Sequence, residues 1–203
     1  MLPTFHQYIK RRIALAMGLQ GITIFILFLC TLTTPVLKNS GLAEYNGTVY
    51  GVYGYSKLQK DYEPSSVVSM FAPVYKSESS GWLISSFSRE YLSNLMVLFP
   101  ILTVYSLLIF LTSFITLLVA LYHSQSLNGL RKIIFINTLC FTFAFLLSVM
   151  TCIEIFLLFM PHVTIFSWLT LVLPLVWYVN KLQLSKSIIF LDEMETAFNN
   201  IHK

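Results

Sequence analysis

Four long apolar runs divide the chain: Ile13 to about Leu37, about Leu95 to Tyr122, Ile133 to Phe159, and Val163 to about Val179. They hold almost no charge. Each is near or above the roughly 20 helical residues that cross a hydrocarbon core. Between the first two lies a stretch of another kind, 38–94, polar and rich in Ser, Gly and Tyr. Within it, TVYGVYGY at 48–55 is β-branched and aromatic, as a strand would be, with Gly51 and Gly54 interrupting it as bulges or points of close backbone approach. Val67 to Tyr75, broken by Pro73, is a second candidate strand. KSESSG at 76–81 reads as a turn, and Trp82 to Leu92 as an amphipathic lead into the second span. The pattern predicts an all-α membrane protein: a single domain over 1–203, with four transmembrane helices in a bundle and a small β-containing loop on one side.

Composition agrees. The 203 residues are 56% apolar, 15% aromatic and only 11% charged, where a soluble domain has about 25% charged residues. The net charge of +4 comes from cations beside the apolar runs, which reads as an orientation signal and not as nucleic-acid binding. Lys10, Arg11 and Arg12 precede the first span, Arg131 and Lys132 lie in the short 123–132 connection, and Lys181, Lys186 and Lys203 follow the fourth. The 38–94 loop dilutes five basic residues among 57 positions and balances them with five acids. The positive-inside rule therefore puts both tails, 1–12 and 180–203, in the cytosol and the long loop outside it. The only N-x-[ST] sequon, Asn46-Gly47-Thr48, falls on the side where glycosylation happens. It lies about nine residues from the first span. A cleaved signal peptide is the other reading of that span. Its length and the lack of an A-x-A site favour a retained helix, and the later topology is the same either way.

Few residues carry candidate chemistry. Cys30, Cys140 and Cys152 all fall in apolar runs without CxxC spacing, so neither a disulfide framework nor a metal site is expected. Glu154 is the only acid inside a span. A buried charge there must be protonated, partnered or in contact with water. It reads either as a proton- or partner-coupled switch or as an interhelical hydrogen bond to Ser, Thr or Tyr. His162 is the only histidine on the predicted outer side. An unperturbed imidazole titrates near pH 6.5, so His162 is a candidate for sensing external pH, or else a turn residue beside Pro161. Ala14, Gly18 and Gly21 share one helix face, for packing inside the chain or against another copy. Tyr50, Tyr53, Tyr55 and Trp82 either bind a partner or seat the loop on the helix ends. In the tail, Leu184, Ile188, Leu191, Phe198 and Ile201 share a face, while Asp192, Glu193 and Glu195 argue against adhesion to anionic lipid. No Ser/His/Asp arrangement, phosphate loop or HExxH is present, and neither an enzyme nor a cofactor is expected.

With the spans placed, the chain resembles the fungal PalI family of small four-span proteins, related in layout to claudin-like fungal tetraspans. The likeness rests on TPVLK at 34–38, YGVYGY at 50–55, VLFPI at 97–101 and CIEIFLLFMPH at 152–162, in that order, within about residues 20–185. Relatives often carry Cys after the Gly-Tyr; here it is Ser56, and the C-terminal tail is shorter than in some. The resemblance implies a multi-pass plasma-membrane accessory protein; transit through or residence in the endoplasmic reticulum is the other localisation. The protein's partner would be another integral membrane protein, such as an ambient-pH sensor. Self-assembly into membrane subdomains is the alternative reading, and a proton- or ion-coupled carrier built on Glu154 is a third.

Overall fold

The computed structural model describes residues 2–34, 36–37, 40–57, 66–68, 82–122 and 127–201. Helix α1 (Leu2–Thr31) is followed by four short strands, β1 (Ala43–Tyr45), β2 (Thr48–Tyr50), β3 (Gly54–Lys57) and β4 (Ser66–Val68). Then come α2 (Ser86–Ser93), a 3₁₀ turn (Asn94–Val97), α3 (Leu98–Tyr122), α4 (Leu127–Phe159), α5 (Ile165–Thr170) and α6 (Val172–Ile201). Among the described residues, four helical stretches are long and apolar enough to cross a membrane: Gln7–Thr31, Phe87–Leu121, Gly129–Phe159 and Ile165–Met194.

Their outer surface is apolar where that of a soluble protein is polar, and several polar side chains are buried with the apolar core. Phe25, Leu139 and Leu175 are exposed, whereas Gln20, Ser106, Asn137 and Ser148 are buried. Outward apolar side chains suit acyl chains. Polar groups at membrane depth must find partners within the protein.

The chain forms two compact units. One contains residues 1–23, 105–145 and 175–203. In it, Gln20 donates to the Ser106 hydroxyl at 2.9 Å, joining α1 to α3, and Asn137 donates to Ser113 at 3.0 Å, joining α4 to α3. The predicted cytosolic tail is not a separate segment: α6 runs on to Ile201. It is held by the Tyr8–Phe190 ring pair, by an Arg12-to-Gln183 hydrogen bond of 2.7 Å and by the Arg131–Asp192 ion pair. Of the tail's apolar face, Leu184 and Leu191 are buried and Ile188 half-buried. The side chains of Glu195, Phe198 and Ile201 lie outside the described residues.

The other unit contains residues 24–104 and 146–174. It holds the whole described sheet, antiparallel in the order β1-β2-β3-β4. Two prolines shape its helices. A proline removes the N–H that would bond the carbonyl four residues back. Pro100 follows the 3₁₀ turn that separates α2 from α3. Pro174 stands in the first turn of α6, just past the break at Leu171. The carbonyl four residues before it, Thr170, accepts instead from the Cys152 thiol at 3.0 Å. The expected span of 163–179 is thus two helices, the second far longer than predicted. The first helix ends at Thr31, not near Leu37, because residues 32–34 turn into the loop.

Candidate functional site

The loop begins with a two-residue hairpin. Tyr45 pairs with Thr48, and the intervening Asn46 and Gly47 have φ of 48° and 69°. Both are left-handed, the type I′ geometry whose twist matches flanking strands. Asn-Gly is the sequence best suited to it, so the sequon is also a turn. Asn46 is exposed. The pattern of apolar runs passed over this hairpin and over β1.

The expected single strand at 48–55 is instead two, because the chain reverses at 51–53. Gly51 donates its N–H to the Gly54 carbonyl at 2.8 Å across this turn. A Cβ on Gly51 would stand 1.9 Å from the Thr34 carbonyl oxygen, so this glycine serves close backbone approach and no bulge. Gly54 has φ of 151°. Tyr53 and Tyr55 are half-buried, and burial raises the Tyr53 hydroxyl above its ordinary pKa. Of the second candidate strand, Ser66–Val68 is strand and pairs with β3; 69–75 lies outside the described residues, as does the 76–81 turn.

The sheet is fastened to the connection between α4 and α5. Glu44 donates its N–H to the His162 carbonyl at 3.1 Å, and Thr164 donates its N–H to the Leu42 carbonyl at 2.9 Å. The Ser167 hydroxyl donates to the same Leu42 carbonyl at 2.6 Å, and the Thr164 hydroxyl donates to the Gly41 carbonyl. These bonds bring His162 against the aromatic side of the sheet. Its ring centroid lies 4.3 Å from that of Tyr45 and 5.0 Å from that of Trp82. Trp82 in turn meets Tyr45 at 5.2 Å and Tyr50 at 5.5 Å, and Tyr50 reaches Phe159 at 6.3 Å. Tyr45, Tyr50 and Tyr55, one to a strand, share one face by register, with Tyr50 opposite Tyr55.

The cluster contains a cation that the sequence reading did not single out. Arg89 is fully buried, with its guanidinium carbon 3.8 Å from the centre of the Trp82 ring. Weak hydration and a planar face suit a guanidinium to this position. Its charge also reaches Tyr50. Burial raises the Tyr50 hydroxyl pKa, and Arg89 opposes that rise. The signal was present in the helical phase: Arg89, Ser93, Met96, Phe99 and Leu102 are spaced by three and four and are all buried.

The remaining candidates lie elsewhere. Glu154 is buried on α4, and neither carboxylate oxygen has a hydrogen-bond partner among the described residues. Of its two readings, the interhelical hydrogen bond to Ser, Thr or Tyr is not made among the described residues. Gly18 and Gly21 have open space where a Cβ would stand, and Ala14 and Gly18 are exposed, so among the described residues no helix approaches closely at these glycines. The cysteines are unpaired, and among the described residues no three of His, Cys, Asp and Glu gather closely enough to hold a metal ion.

No protein-family model matches the chain, and no solved structure does. Named relatives do match. The chain is 30% identical to the uncharacterized membrane protein TOS7 of Saccharomyces cerevisiae over 78% of its own length and 30% of that protein. It is 29% identical to the pH-response regulator protein palI/RIM9 of Yarrowia lipolytica, over 69% of its length and 18% of that protein. It is 28% identical to protein DCV1 of S. cerevisiae, over 80% of its length and 79% of that protein. The chain thus spans less than a third of the first two relatives and most of the third. Fold and likeness together define a multi-pass membrane protein with a small extramembranous sheet. Within that class, the chain is similar to the fungal palI/RIM9 proteins, at under 30% identity.

Proposed function

We propose that the chain is a non-catalytic accessory protein of the plasma membrane that associates with another integral membrane protein in the response to ambient pH. The observation that carries this reading is the likeness to the Yarrowia palI/RIM9 protein. Both termini face the cytosol and the sheet faces outward, as the basic residues around the spans favour.

His162 supplies a physical basis. Protonation places an imidazolium between Tyr45 and Trp82, whose ring faces attract cations. Arg89 already occupies Trp82, so two cations then share one indole. The other ionisable groups around this histidine are Tyr50, behind Trp82, and Glu44, whose main chain bonds that of His162. Repulsion between these two cations opposes the pull of the rings, and we infer that it prevails: the tie between sheet and helix connection then loosens on acidification, and the partner reads that change.

The test is complementation in a fungal host lacking its own palI/RIM9 protein, scored by growth at alkaline pH and by recovery of the partner with a tagged copy. Restored growth with a co-purifying membrane protein is expected. Normal surface expression without restored growth would remove the pH role. A second reading, lateral self-assembly, is favoured by the open face at Gly18 and Gly21. It predicts stable patches of tagged protein that disperse in Gly18→Leu.

A further inference from the structure

At the start of α4 the structure opens a cavity of about 460 Å³ lined by Arg131, Lys132, Phe135 and Ile188. All four belong to one compact unit. Two cations stand at the polar end of a membrane-spanning helix, and Phe135, 59% exposed, follows one turn later. At 1.5 Å rise per residue, Phe135 lies about 5 Å deeper along the axis than the cations. Charge at headgroup depth above apolar surface at acyl depth matches a phospholipid. The Asp192 carboxylate takes the Nε edge of Arg131 at 3.1 Å and fixes that side chain, while Lys132 is exposed.

We propose that this cavity binds the headgroup of an anionic phospholipid, with Phe135 and Ile188 against its acyl chains. The acidic tail of α6 does not oppose this, because the cations belong to α4 and Asp192 serves as a brace for Arg131. Basic pockets between helices at the cytosolic surface are the usual receptors for such headgroups. The proposal rests on the orientation given above only for which leaflet supplies the lipid. Nanodiscs carry the lipid in both leaflets, so a failure of binding there is separate from a failure of topology.

The experiment places the purified full chain in nanodiscs of phosphatidylcholine with a minority of phosphatidylserine and measures retained lipid by native mass spectrometry. Selective retention of phosphatidylserine is expected. Lys132→Gln should weaken it about fivefold, the equivalent of roughly 1 kcal/mol for one basic residue near an anionic surface. Lys132→Arg should retain it, and Arg11→Gln, an exposed cation on another helix, should leave it unchanged. Thermal unfolding of each variant controls for folding. Equal retention of the two lipids overturns the proposal. An equal loss in Lys132→Gln and Arg11→Gln does so too, by showing diffuse surface charge. Displacement of phosphatidylserine by inorganic phosphate overturns the lipid assignment in favour of a free-anion site.

Discussion

Gly51 shows how one absent side chain decides a loop. A Cβ there would stand 1.9 Å from a backbone oxygen, which has no rotamer with which to yield. Gly51→Ala should therefore destabilise the protein by about 1–3 kcal/mol, as overpacking does. Gly18→Ala, with open space around it, should leave stability unchanged or raise it through better helix propensity. Thermal unfolding in detergent tests both, and equal behaviour of the two would show that the Thr34 approach is not essential. The sequence pointed to Gly51 through its place in YGVYGY but not to its contact, because Thr34 is remote in the chain. Arg89 was missed for a different reason. A charged residue in an outer loop reads as solvated, and only its helical phase shows it on the buried stripe. The titration of Tyr50 beside it has a definite sign, set by burial against the opposing charge of Arg89. Burial raises the folded-state pKa of Tyr50. The stability contributed by the neutral phenol is thus fully present below the unfolded value near 10, and it is lost as pH rises through the folded one. Tyr50→Phe should accordingly unfold less readily than the parent above that pH, and a parallel decline in both would exclude Tyr50 as the titrating group.

Among the elements, the spans were legible because each repeats the same apolar signal over about five turns. Three-residue strands carry too few positions for alternation to show. The hairpin at Asn46-Gly47 was hidden for a further reason: the same residues also spell a sequon. The structure separates the two meanings. Asn46→Gln removes the acceptor but puts a long side chain into the left-handed region, at a cost of roughly 1–2 kcal/mol. Thr48→Val removes the sequon and keeps both the turn and a β-branched strand residue. If Asn46 is glycosylated, both variants should lose the endoglycosidase shift, but only Asn46→Gln should lower the melting temperature. A melting loss in Thr48→Val alone would assign the stability to the threonine. The break in the fourth span was likewise unread. Pro174 was visible, but hydropathy counts it as one residue in an apolar run, whereas its missing N–H redirects the Thr170 carbonyl to Cys152.

At the scale of the whole molecule, the four spans among the described residues put the start of α1 and the end of α6 on one side, whichever side that is. In the proposed orientation, which rests on the charge distribution, the basic 123–132 connection faces the cytosol and the sheet the other side. The native cysteines make this testable. Cys30 and Cys152 are buried and Cys140 sits within α4, so a membrane-impermeant maleimide should find little to label in the parent. Glu44, exposed on β1, and Glu193, exposed on α6, are reporters for the two sides. The Glu44 side chain takes no part in the tie to His162, which runs through the main chain, so Glu44→Cys should leave the sheet intact. In intact cells Glu44→Cys should label fully and Glu193→Cys only after permeabilisation. The reverse pattern would invert the topology and move His162 and its aromatic surroundings to the cytosol. The cluster would then be shielded from ambient pH, and the proposed role of His162 would fall even if complementation succeeded. With the sidedness fixed, Val49→Cys, at a buried position, probes the switch: after normalisation to a free thiol at each pH, lowering pH should speed its labelling as the sheet loosens. His162→Asn, which holds no charge at any pH, should abolish that dependence, whereas a pH effect that survives His162→Asn would place the responsive group elsewhere in the loop.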